Sequence, residues 1–155
     1  KGAWIMHTLR YLLGDEILFP AVTRLTYGTD DPQPGAIAPL NRTTADFHAI
    51  LEELSGNDLD WFFDAYFYQA SLPELRVVQD GNDLLLTWET PSDLPFTMPV
   101  DVRAGTRTTR VEMVGGRGRL TLESPSETYL IDPENRILRH DPAIEAWQNR
   151  VPSGD

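Results

Sequence analysis

Three histidines, His7, His48 and His140, are the residues most able to do chemistry in this sequence. Imidazole titrates near neutral pH and is the commonest metal ligand. A zinc site asks for His, Cys or carboxylate at fixed spacing, such as the two His of HExxH on one helix face. None of the three stands in such a motif: His7 sits with Arg10 and Tyr11, His48 follows Asp46-Phe47, and His140 lies in Arg139-His140-Asp141. Each is read as a solvated or locally hydrogen-bonded imidazole. The chain has no cysteine, which removes disulfides, thiolate zinc sites and Cys nucleophiles together.

Carboxylates abound, with 24 Asp and Glu against 13 Lys and Arg, so acidic pairs arise by chance. Asp58, Asp60 and Asp64 bracket an aromatic stretch, and Asp60 and Asp64 share a helix face at i,i+4. That face is read as solvated, because a glycosidase-like dyad needs two carboxylates across a cleft. Asp80-Gly81-Asn82-Asp83 mimics the start of a calcium loop but lacks the closing Glu, and reads as a hairpin turn. Gly115-Gly116-Arg117-Gly118 is flanked by strand-like runs and opens no helix, so it is a turn and not a phosphate cradle. Ser55, Ser71, Ser92, Ser124 and Ser126 lie in turns, none within a G-x-S-x-G elbow. No complete catalytic constellation emerges. No residue is therefore assigned as catalytic, cofactor-binding or metal-ligating.

The densest aromatic run, Trp61-Phe62-Phe63 to Tyr66-Phe67-Tyr68, fits the inner face of a core helix, which leaves Trp61 and Tyr68 to meet a neighbouring domain. The net charge of −11 repels phosphate backbones, and the loose arginines from Arg103 to Arg119 form no basic stripe, so nucleic acid is not an expected partner. No apolar run reaches the roughly 18–20 residues that span a bilayer. The opening segment carries His7 and Arg10 and ends in Gly14-Asp15-Glu16, unlike a signal peptide.

Two textures divide the chain. Residues 1–75 read as helices. Ile5, Leu9, Leu12 and Leu13 recur at helical spacing with Gly14 as a stop, and Pro20 is placed in the first turn of the next helix. Residues 27–43 are an irregular loop. Thr43 and Asp46 form a capping box ahead of Phe47, Ile50, Leu51 and Leu54. Ser55-Gly56 ends that helix, Asn57 or Asp58 caps the next, and the pair makes a helical hairpin. From residue 76 to 155, six short strand-like runs alternate with turns at roughly ten-residue spacing, the pattern of an antiparallel sandwich or barrel, with a last short helix over 142–150. The fold class is α+β, with the boundary near 73–76.

KGAWIMHTLRYLLGDE resembles the segment after the catalytic Tyr in the aminopeptidase N family of gluzincin zinc metallopeptidases, where Tyr-x-Lys-Gly-Ala opens a helix ending in Leu-Gly. TTADFHAILEELSGNDLDWFFDAYFYQASLPEL is similar to the end of that family's catalytic domain, and the strand-rich half to the β-sandwich that follows it. The resemblance implies a C-terminal fragment: residues 1–75 as the last helices of the catalytic domain, and residues 76–155 as a small β-sandwich. It implies a parent that removes N-terminal residues from peptides with zinc held by HExxH and a downstream Glu. All of these lie upstream of Lys1, so this chain is expected to be inactive alone and to hold no cofactor. Its partners would then be the rest of the parent chain or a second copy covering the cut face. The alternative is a non-enzymatic module that binds peptide, carbohydrate or protein, with exposed aromatics in a groove.

Overall fold

The computed structural model describes residues 1–35 and 40–142. Four helices come first: α1 (Gly2–Leu13), α2 (Asp15–Tyr27), α3 (Thr44–Ser55) and α4 (Asp60–Tyr66). Six strands follow: β1 (Glu74–Asp80), β2 (Asp83–Glu89), β3 (Val100–Ala104), β4 (Arg107–Val111), β5 (Arg117–Thr121) and β6 (Tyr129–Ile131). The chain is therefore α+β, and its change of texture falls at the start of β1. The helix expected over 142–150 lies outside the described residues, apart from Pro142.

Local chemistry sets the helix ends. The Thr43 hydroxyl accepts from the Asp46 N–H at 3.2 Å, and the Asp46 carboxylate accepts from the Thr43 N–H at 2.7 Å, so the capping box is complete. Gly56 ends α3 in the left-handed conformation (φ +68°), as C-terminal glycines do. Two expectations need correction. Pro20 is the sixth residue of α2, not part of its first turn, because the helix begins at Asp15 directly after Gly14. The residue at the N-cap of α4 is Leu59, with no side-chain cap of its own. Asp58 still contributes, since its carboxylate accepts from the Asp60 N–H at 2.9 Å.

The strands form two three-stranded antiparallel sheets, ordered β1-β2-β5 and β4-β3-β6. Asp80 pairs with Asp83, so Gly81-Asn82 is a two-residue hairpin turn and no calcium loop. Val114 bridges to Arg117 around Gly115 (φ +56°) and Gly116 (φ +77°), the pair of positive angles a type I′ turn demands. Alternation follows the sequence. Leu84, Leu86 and Trp88 are buried on one face of β2, and Val100, Val102 and Ala104 on one face of β3. The Trp88 indole donates to the Met98 carbonyl at 2.8 Å, so this large ring is satisfied where it is buried.

One continuous cluster of buried residues runs through both textures, from Ile5 and Leu9 through Phe62, Phe63 and Tyr66 to Val102 and Ile137. Phe96 is its hinge: it meets Trp61, Tyr66 and Trp88 edge-on at centroid distances of 5.2, 5.6 and 5.1 Å. Polar bonds stitch the same boundary. The buried Thr8 hydroxyl accepts from the Leu138 N–H at 3.0 Å, and the Tyr66 hydroxyl donates to the Leu138 carbonyl at 2.6 Å. Burial pushes the Tyr66 phenol well above its ordinary range. The Tyr11 hydroxyl donates to Asp101 at 2.9 Å, and burial together with that bond raises its pKa likewise.

Candidate functional site

The three histidines separate once folded. His7 is exposed on α1, lining a cleft of about 410 Å³ with Arg10, Tyr11, Asp15, Glu134 and Arg136. His140 Nδ1 lies 3.0 Å from Glu74 Oε2, a locally bonded imidazole as expected. His48 does not follow that expectation. Its Nε2 is buried and has no hydrogen-bond partner.

The surroundings of His48 come from three elements. His48 and Glu52 are one turn apart on α3, which brings their side chains onto one face. The short turn after Gly56 returns the chain so that Asp60, the first residue of α4, faces the same spot. Nε2 of His48 is 3.1 Å from Glu52 Oε1 and 3.6 Å from Asp60 Oδ1. The ring stacks on Phe63, centroids 4.1 Å apart and planes inclined by 21°, which fixes its tilt. Glu52 is held as well, because its Oε1 accepts the Leu59 N–H at 2.8 Å. One imidazole nitrogen and two carboxylate oxygens thus converge within 4.8 Å of one another. In the sequence His48 and Asp60 stand apart, and Glu52 belongs to no motif that singles it out. The His-x-x-x-Glu spacing on a helix was the available signal, but nothing local announced that Asp60 would join it.

Other singled-out residues take structural or solvent roles. Asp58 and Asp64 are exposed. Trp61, expected to meet a neighbouring domain, is half-buried against Phe62 and Phe96, because the strand half supplies its partner. Tyr68, expected to meet a neighbouring domain as well, is 61% exposed. It belongs to a wider set of exposed large apolar side chains on the helical half, with Trp4, Phe19, Tyr27 and Leu40. The Lys1 ammonium donates to the Gln69 carbonyl at 2.6 Å, which brings the start of α1, and so Trp4, beside the segment that carries Tyr68. On the strand half, residues between Thr87 and Arg117 line a separate open depression of about 720 Å³. Among the described residues no helix is long and apolar enough to cross a membrane. Compared with known protein families and with curated proteins, the chain matches no family model and no curated protein.

Proposed function

We propose that this chain is the non-catalytic C-terminal part of an aminopeptidase N-like zinc metallopeptidase. Its helices close the catalytic domain and buttress the active-site cleft, and its two sheets form a small β-sandwich packed beside them. The parent removes N-terminal residues from peptides. The observation that carries this reading is a coincidence of pattern and surface. The segments that resemble the family, 1–16 and 43–75, also bear Trp4 and Tyr68, large aromatics left 47% and 61% exposed. Aromatic side chains at that exposure on neighbouring segments suit burial against another part of a larger enzyme. The shared core supports it too, since helices and sheets that interlock through Phe96 and Thr8 can transmit rigidity to whatever packs on α1. The family's zinc finds no ligands here, as the sequence contains no HExxH, and none of these residues takes part in a step at that metal.

Aminoacyl-amide hydrolysis tests the reading, measured on this chain and on a version extended upstream by the length of a catalytic domain. Turnover confined to the longer version is expected, with a Tyr two positions before Lys1 and HExxH further upstream. Turnover by the 155 residues alone would overturn it. So would none in either, which would favour a binding module for peptide, carbohydrate or protein.

A further inference from the structure

We propose that His48, Glu52 and Asp60 form a binding site for a divalent transition-metal ion of the zinc class. The donor set points to that class. Imidazole nitrogen suits zinc, copper, nickel and iron, whereas calcium and magnesium take oxygen ligands almost throughout. The spacing fits as well. Nitrogen and oxygen donors at 2.0–2.1 Å around a tetrahedral ion lie about 3.3 Å from one another. Here His48 Nε2 is 3.1 Å from the Glu52 oxygen and 3.6 Å from the Asp60 oxygen.

The hydrogen-bonding state of the ring is the independent observation. Nε2 is shielded from solvent and has no hydrogen-bond partner, although a carboxylate oxygen sits at hydrogen-bonding distance. The Glu52 oxygen is near enough but forms no hydrogen bond with it. A buried polar atom without a partner is costly, and native structures rarely leave one so. An ion seated among the three side chains gives Nε2 a partner and neutralises two facing carboxylates at once.

The supports around the ligands match what metal sites use. Stacking on Phe63 holds the imidazole plane, and the Leu59 N–H holds Glu52, so two of the three donors are oriented before an ion arrives. Asp60 is 78% exposed and sits on the solvent side. It gives the ion its route in and leaves the fourth position to water, the arrangement of three protein ligands and one open place. The metal would pin the α3–α4 hairpin through both helices.

Calorimetric titration of the full chain with zinc, in a background of magnesium, tests the site. One zinc per chain is expected, with cobalt(II) giving the visible absorption of a tetrahedral centre. H48Q should weaken zinc by about tenfold or more, since even an outer-shell change costs a metal site that much. D60N, at an exposed position, should also weaken it, and H7Q and H140Q should leave it unchanged. Zinc should raise the melting temperature of the native chain and leave that of H48Q where it was. No zinc uptake, or uptake of equal affinity in H48Q and D60N, would overturn the proposal. These readouts involve no peptide hydrolysis, so their failure and that of the aminopeptidase reading are distinguishable.

Discussion

Asp132 and His48 both place a polar group away from water, and they are treated in opposite ways. Asp132 is 3% exposed and fully engaged. Its carboxylate accepts the N–H groups of Arg136 and Ile137 at 2.9 and 3.0 Å and the Arg139 guanidinium at 2.9 Å. Its own N–H donates to the Asp101 carbonyl at 2.7 Å, and its carbonyl accepts from the Asn135 N–H. It adopts a left-handed backbone (φ +47°), which Asp tolerates better than most residues. The carboxylate, N–H and carbonyl of Asp132 are all answered from within the chain. At His48 the ring nitrogen is buried and nothing answers it. A closed polar network is a structural element, whereas an open one leaves a valence for something else to fill.

That contrast ranks the expected effects of substitution. D132A should be the most damaging, by about 3–5 kcal/mol, because it strands the largely buried Arg139 guanidinium without its counter-charge. The midpoint of urea unfolding reads this directly, and an unmoved midpoint would mean the loop contributes nothing. T8V comes next, at about 1–3 kcal/mol, since an isosteric apolar side chain leaves the Leu138 N–H unanswered at a fully buried position. Y66F removes only the bond to the Leu138 carbonyl and keeps the ring, so about 1 kcal/mol is expected by the same measurement. Smallest is H48L in metal-free buffer. Replacing an unpartnered nitrogen by an apolar group should shift stability by less than about 1 kcal/mol, in the stabilising direction. If H48L in metal-free protein cost as much as D132A, the two regions would be alike and the distinction between them would collapse.

Short-range chemistry was legible in the sequence. The capping box at Thr43 and Asp46, the stop at Gly56, the hairpins at Gly81 and Gly115-Gly116 and the alternation through Leu84, Leu86 and Trp88 each depend on neighbours within a few residues. Pro20 was misplaced because the start of α2 is set by Gly14, whose backbone (φ +80°) ends one helix and lets the next begin at once. Trp61 could be expected to meet a neighbouring domain, but not which residue of it: Phe96 lies 35 positions away and is brought to it only by the packing of the strand half on α4. The His48 cluster shows the same limit. His48 and Glu52 stand at a readable spacing, but Asp60 joins them only through the angle at which α4 leaves the turn after Gly56. Gly118 belongs here too: a Cβ there would meet Met113 Sδ at 2.5 Å and Val111 Cγ1 at 2.7 Å, a crowding that the Gly-rich turn alone does not announce.

The bond between Thr8 and Leu138 joins residues 130 positions apart, one in the first helix and the other near the end of the described chain. At about 5–20 residues per second of synthesis, roughly 7–26 s separate the appearance of the two partners. Throughout that interval the side of α1 that carries Ile5 and Leu9, both buried in the finished molecule, waits for the segment that bears Leu138. The earlier of the two partners to be made is thus locked only when the later one arrives. A nascent chain would therefore rely on neighbours such as α2 to keep that apolar side from other nascent chains until the segment around Leu138 comes home.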